Sequence, residues 1–190
     1  ADRDQIQSRE DIEGLIEQME QGAIDILIGT QMIAKGHDFM HVALVGVICA
    51  DVGLSMPDFR AAEKTFQLLT QVAGRAGRGH FLGQAVIQTF NPDHPSIYFA
   101  KTHDVNGFIE QEIRMRRRFL QPPFCRSALI RSEHQDESKA ESLINLAKNL
   151  LKDKGLSILG PAPSSIERIN GRFRYQCMVS SSTAKALHKI

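Results

Sequence analysis

An α/β layer on a mostly parallel sheet, followed by a smaller α+β unit, is the architecture this sequence predicts. Three observations predict it. Short apolar runs at 24–29, 42–50 and 83–90 are of the kind buried in parallel sheets, and the order is helix, strand, strand, helix, strand. Gln121-Pro122-Pro123 then breaks the chain. Beyond it the order becomes strand, helix, strand, strand, helix, with one cleanly alternating segment at 172–179.

In the first part, Ser8 reads as a helix N-cap with Asp11 completing a variant capping box. Ile12, Leu15, Ile16 and Met19 recur at helical spacing, and Gly22 ends the helix. Ile24–Gly29 (IDILIG) is the first buried strand, and the polar segment Thr30–Phe39 follows it. Val42–Ala50 is the second strand, 51–64 leads into the next helix, and Gly83–Phe90 is the third strand. From Ser96 to Phe119 one helical segment ends in Arg114, Arg116, Arg117 and Arg118.

In the second part Phe124–Arg131 reads as a strand and Asp136–Lys154 as a helix that points Ala140, Leu143, Ile144, Ala147, Leu150 and Leu151 inward. Leu156–Gly160 is a strand, Gly160–Gly171 a Gly/Pro/Ser loop, Arg172–Val179 a strand, and Ala184–Ile190 a helix cut by the chain end. The boundary falls at Pro122, giving units 1–121 and 122–190.

Composition sets outer limits. The 190 residues suffice for one large or two small domains, and 42% hydrophobic with 24% charged residues is the profile of an ordinary globular protein. Net charge is +1 and the pI about 8.0, so any nucleic-acid surface has to come from local clustering. No apolar run approaches the roughly 18 residues that span a bilayer, and no signal-peptide pattern opens the chain. Cys49, Cys125 and Cys177 are odd in number and far apart, which fits buried thiols in a reducing cytoplasm. His37, His41, His80, His94, His103, His134 and His188 show no metal-ligand spacing. The opening Ala1-Asp2-Arg3-Asp4 lacks an initiator methionine, and the expectation is a chain cut from a longer protein.

Chemistry concentrates in Gln71–Gly79, QVAGRAGRG. On a helix Gln71, Arg75 and Arg78 share one face, while Phe66, Leu69, Ala73 and Ala76 face the other way. Gly74 and Gly77 each cost a helix about 1 kcal/mol relative to alanine, which close approach of a phosphate-bearing ligand or a neighbouring backbone would justify. Two guanidiniums and an amide can grip a polyphosphate, and such an arginine can neutralise charge developing on a γ-phosphate. The same arginines can equally be a helix end complementing its dipole.

In Thr30–Phe39, Thr30 can donate to a phosphate, Lys35 supplies charge, Gly36 permits backbone approach and Asp38 can accept from a hydroxyl or an arginine. An ordinary polar loop reads the same way. Arg114–Arg118 is a solvated helix end or a DNA phosphate contact. On the last strand Phe173, Tyr175, Cys177 and Val179 share one face, which alternating with arginines can be a stacking platform for single-stranded bases but is expected to be core. Arg172, Arg174 and Gln176 share the other, a phosphate-binding patch together with Arg168.

GTQMIAKGHDF resembles motif V of superfamily-two helicases and QVAGRAGR resembles their motif VI. DVGLSMPDFRAAEK, QLLTQVAGRAGRG and the later RMRRRFLQPPF together resemble one branch, the PriA family of primosomal replication-restart helicases. The resemblance implies a RecA-like second helicase lobe with a trailing basic helix, then an α+β C-terminal domain. It implies that Gln71, Arg75 and Arg78 reach across to ATP with Mg2+ held mainly by a first lobe, Arg78 as arginine finger. Gly36 and Asp38 would lie on the ATP side of motif V. Thr30 and Lys35 would contact DNA, as would Arg116, Arg117, Arg172 and Arg174.

The implied partners are branched and single-stranded DNA, single-stranded-DNA-binding protein and other primosome proteins, with no membrane. The implied setting is a bacterial cytoplasm, associated with the nucleoid. The chain has no GxxxxGK[ST] loop and none of the paired cysteines of the family's zinc module, which belongs upstream. The expectation is a 3′-to-5′ helicase part that is inactive alone. The competing expectation is a non-catalytic DNA-binding or scaffold module with vestigial motor motifs.

Overall fold

Helix α1, Arg9–Glu20, is the first element of the computed structural model, which describes residues 9–30, 42–74 and 83–188. Ile12, Leu15, Ile16 and Met19 are its half-buried side. Gly22, at φ +69°, ends it: the Gly22 N–H donates to the Met19 carbonyl at 3.1 Å and the Ala23 N–H to that of Gln18 at 2.9 Å. These are the paired bonds of a Schellman turn, whose left-handed residue is usually glycine. The expected Ser8 cap lies outside the described residues.

The chain's contacts divide it into two units, Ala1–Ile109 and Glu110–Ile190. In the first, β1 (Leu44–Val47) and β2 (Gln84–Ile87) pair in parallel, Leu44 opposite Gln84 and Val47 opposite Ile87. Parallel neighbours need a crossover, and α2 (Asp51–Leu54) and α3 (Ala61–Ala73) lie within it. Helix α3 buries Thr65, Phe66, Leu69 and Val72 at helical spacing. Its core partners are Ala50, Ile97 and Ala100 of α4 (Pro95–Lys101), and Phe108 near the start of α5 (Val105–Arg118). The Phe66 and Phe108 rings stack with centroids 4.1 Å apart and planes 8° from parallel.

Three expectations for this unit are corrected. Residues 24–29 form no strand, and Ile26 and Ile28 are 79% and 75% exposed. An apolar run becomes a buried strand only where a ladder partner and two covered faces exist, and the sheet among the described residues has two strands. That sheet is parallel as expected but open on one face, where Leu44, Ile48 and Val86 are exposed. The single helix expected from Ser96 to Phe119 is two, because His103 turns left-handed (φ +52°) and Asp104 accepts from the Gly107 N–H at 2.8 Å, starting α5 afresh. A Cβ on Gly107 would overlap the capping Asp104 carboxylate and lie 2.5 Å from Phe99 Cε1, so a side chain there would force both to shift.

The second unit is a three-stranded antiparallel sheet in the order β3 (Arg126–His134), β5 (Arg172–Ser181), β4 (Ser157–Ile169). Helix α6 (Glu137–Leu151) covers one face, with Ile144 and Leu151 packed on Cys177 and Val179. Asp136 caps α6 by accepting from the Lys139 N–H at 3.3 Å, and a short α7 (Ala184–Leu187) follows β5.

Leu143 and Leu150, expected inward, are exposed, because so narrow a sheet meets the helix along the stripe of Ala140, Ile144 and Leu151. The expected loop 160–171 is corrected too: most of it continues β4. Pro161 and Pro163 are tolerated because β4 is an edge strand whose register breaks between Leu159 and Ala162 and again between Pro163 and Arg168.

The division of contacts falls within α5, and the Pro122-Pro123 break comes after that helix has ended. Cys125 and Cys177 are buried free thiols, and Cys49 is a half-buried one. Among the described residues no helix is long and apolar enough to cross a membrane.

Candidate functional site

The crest beyond the carboxyl ends of β1 and β2 is where α/β folds present ligands, and Asp51 organises it. Its carboxylate accepts from Asn91 Nδ2 at 2.8 Å, from Thr89 Oγ1 at 3.1 Å and from the Phe90 N–H at 3.0 Å. Those bonds, Asn91 foremost and then the Phe90 N–H, hold the Asp51 carboxyl below its ordinary pKa. Two post-strand segments far apart in sequence are thereby pinned together. Sequence reasoning passed over Asp51, although an acid closing an apolar run and opening a helix is the available signal.

The following stretch is a second clasp. Asp58 takes Lys64 Nζ at 2.6 Å and the Arg60 N–H at 3.0 Å, folding the loop onto the start of α3. Gly53 lies so close beneath α3 that a Cβ there would come within 2.6 Å of Thr65 Oγ1. The motif DVGLSMPDFRAAEK thus sets the position of α3 and of the residues at its end.

Asp58 yields a pH prediction. Lys64 above all draws its carboxyl from 3.8 down to about 2. A carboxylate depressed by folding stabilises the fold above its unfolded pKa and loses that contribution as pH falls through the folded one. The thermal midpoint of the unaltered chain should exceed that of Asp58→Asn at neutral pH, and the gap should close between pH 3.8 and about 2. A gap that stays constant across that window, followed by circular dichroism, would contradict the clasp.

Of the residues read as a nucleotide grip, Gln71 is described. It is exposed in the last turn of α3, and its amide has no side-chain partner among the described residues. Gly74 caps the helix in right-handed conformation. Among the described residues a Cβ there would meet Thr70 O at 3.4 Å and Gln71 O at 3.7 Å, both ordinary contacts. Arg75 and Arg78 lie outside the described residues, as do Lys35, Gly36 and Asp38. Thr30 is exposed in an irregular segment, and no side-chain hydrogen bond joins it to Gln71.

The second unit sorts its arginines. Arg116 is only 12% exposed and forms an ion pair with Glu112 at 2.9 Å while reaching the Pro122 carbonyl at 3.5 Å. Arg174 is likewise 12% exposed and bound to Glu133 at 2.8 Å. Both were expected to face DNA, and both are committed within the chain. Arg117 lies over the Phe124 ring at 5.0 Å and is exposed, as is Arg172. Stacking occupies the plane of a guanidinium and leaves its edge N–H groups for phosphate. On β5 Cys177 and Val179 are buried with half-buried Tyr175 packed on them, the expected core face. Phe173 at its end lies under Arg168 at 4.9 Å, so Arg168 stands on the aromatic side and not with Arg172 and Arg174 as expected.

The chain is similar to known proteins along both units. Residues 117–190 match the family "Primosomal protein N C-terminal domain". The replication restart protein PriA of Bacillus subtilis is 48% identical over 170 residues, 88% of this chain and 21% of that protein. That of Rickettsia felis is 38% identical over 98% of this chain and 29% of its own, and that of Haemophilus influenzae 37% over 99% and 26%. The chain therefore spans about a fifth to under a third of the length of these relatives.

Proposed function

The chain belongs to the PriA family of replication restart proteins, and from that premise we propose that it supplies the RecA-like second lobe and the C-terminal domain of an ATP-dependent 3′-to-5′ DNA helicase that restarts stalled forks. The observation that carries this reading is that the same relatives match both units, at 37–48% identity. The parallel β1–β2 pair with α3 in its crossover supports the lobe, and the exposed Gln71 amide ahead of GRAGR supports the grip.

Bound ATP with Mg2+, held mainly on another lobe, supplies the phosphoanhydride whose cleavage drives the cycle. Gln71 and Arg75 orient the polyphosphate from this side. Arg78 neutralises charge gathering on the γ-phosphate oxygens. Gly36 and Asp38 line the nucleotide side of their loop, and Thr30 and Lys35 hold the phosphates of the tracked strand.

Of Arg116, Arg117, Arg172 and Arg174, Arg117 and Arg172 are the two exposed for DNA. Arg116 and Arg174 join them only by releasing Glu112 and Glu133. Among the described residues no cluster of three or more His, Cys, Asp or Glu could hold a metal; by the family resemblance alone we assign zinc to an upstream module. Branched and single-stranded DNA, single-stranded-DNA-binding protein and other primosome proteins are the partners, in the cytoplasm at the nucleoid.

The test is DNA-stimulated ATP hydrolysis. The full-length protein should show it and the 190-residue chain should not. Turnover by the chain alone would sink the two-lobe reading, and its absence from the full-length protein would favour a scaffold.

A further inference from the structure

Helix α5 ends in a feature that phosphate binding alone leaves unexplained. Phe119 and Leu120 directly follow Arg116–Arg118 and stand 58% and 70% exposed. The helix closes with the Gln121 N–H donating to the Arg116 carbonyl at 2.8 Å and the Leu120 N–H to that of Arg117 at 3.4 Å. Leu120 therefore occupies the left-handed position, φ +49°, that glycine usually takes. An apolar side chain held outward in an unfavourable conformation, where glycine would close the helix at less cost, points to a use for that side chain.

The surroundings say what kind of surface would meet it. Glu110 and Glu112 are the acids of this stretch, and Glu112 is neutralised by Arg116. Arg114, Arg117 and Arg118 have no carboxylate partner among the described residues, and Arg114 and Arg117 line a shallow groove with Ile113 and Glu110. Arg118 lies 5.7 Å from the centre of the Phe119 ring, so charge and aromatic surface are presented side by side. A partner complementary to this tip carries closely spaced negative charges and flat apolar faces, the combination offered by an unpaired nucleic-acid strand.

We propose that Phe119 and Leu120 form an apolar wedge against which a base of single-stranded DNA stacks, while Arg114, Arg117 and Arg118 hold the adjoining phosphates. The inference rests on the DNA-binding reading above and gives it a specific contact.

Fluorescence anisotropy with a labelled oligothymidylate and an abasic strand of equal length separates the two levels. The unaltered chain should prefer the strand that carries bases. Phe119→Ala should weaken that binding about tenfold, the equivalent of one stacked base, and leave abasic binding as it was. Phe119→Tyr should keep it. Leu120→Gly should raise the thermal midpoint yet weaken oligothymidylate binding, which a purely structural role would not do.

Equal losses on both strands in Phe119→Ala, or none, overturn the wedge and leave the DNA-binding reading standing. Failure of the unaltered chain to bind either strand at low salt overturns both. Equal affinity of the unaltered chain for the two strands overturns stacking and assigns the patch to a protein surface.

Discussion

Arg78→Ala in the full-length protein is expected to lower DNA-stimulated ATP hydrolysis by about a thousandfold or more, the usual contribution of an arginine that meets a transferring phosphoryl group. Affinity for DNA should remain near that of the unaltered protein, because the strand is held by other residues. ATP affinity should fall far less than turnover, since charge on the γ-phosphate oxygens grows toward the transition state and the missing cation is felt most there. Arg78→Lys should recover little, because a point charge on a flexible stem cannot reproduce the planar fork. Steady-state turnover together with binding of a fluorescent ATP analogue separates these effects. Normal hydrolysis by Arg78→Ala would remove the finger, and with it the reason for placing QVAGRAGRG at a nucleotide.

The elements legible in the sequence are those whose cause is local. Gly22 ends α1 because a left-handed residue is needed two residues past Glu20 to close the helix, and Asp136 opens α6 because a carboxylate accepts an orphan N–H. The alternation of Phe173, Tyr175, Cys177 and Val179 correctly marked the core face of β5. What failed depended on neighbours. Residues 24–29 have strand composition but no strand in the structure.

Residues 160–169 looked like a loop because two prolines punctuate them, yet an edge strand with two register breaks accommodates both. Asn170-Gly171, with φ +49° and +77°, is the hairpin turn joining β4 to β5. Asn-Gly was a readable signal that the surrounding Pro and Ser masked. Arg116 and Arg174 were readable as cations but not as partners of Glu112 and Glu133. Their ion pairs depend on helix rotation and strand register, which charge counts do not reveal.

Phe108→Ala is expected to cost the first unit about 3–5 kcal/mol, the range for emptying a buried aromatic site. Phe108 is 3% exposed, stacks on Phe66 at 4.1 Å and meets Phe99 edge-on at 6.5 Å, so its loss strips contacts from two elements at once. The core it would open is small: Ala50, Phe66, Leu69, Ile97 and Ala100 are its remaining buried members.

Domain stability is typically only about 5–15 kcal/mol, and this unit's sheet is open on one face, so the substitution should leave it largely unfolded at moderate temperature. The second unit has a separate core of Ile144, Leu151, Cys177 and Val179 and should keep its own transition. Hydrogen exchange would show the difference, with protection lost across α3 and β1–β2 and kept across α6 and β5. Phe108→Leu, which restores much of the volume but not the stack, should recover more than half of the loss. If protection fell equally in both units, the two cores would be one cooperative structure. If it fell in neither, the Phe66–Phe108 stack would not be what holds α3, and Gln71 at its end would need another support.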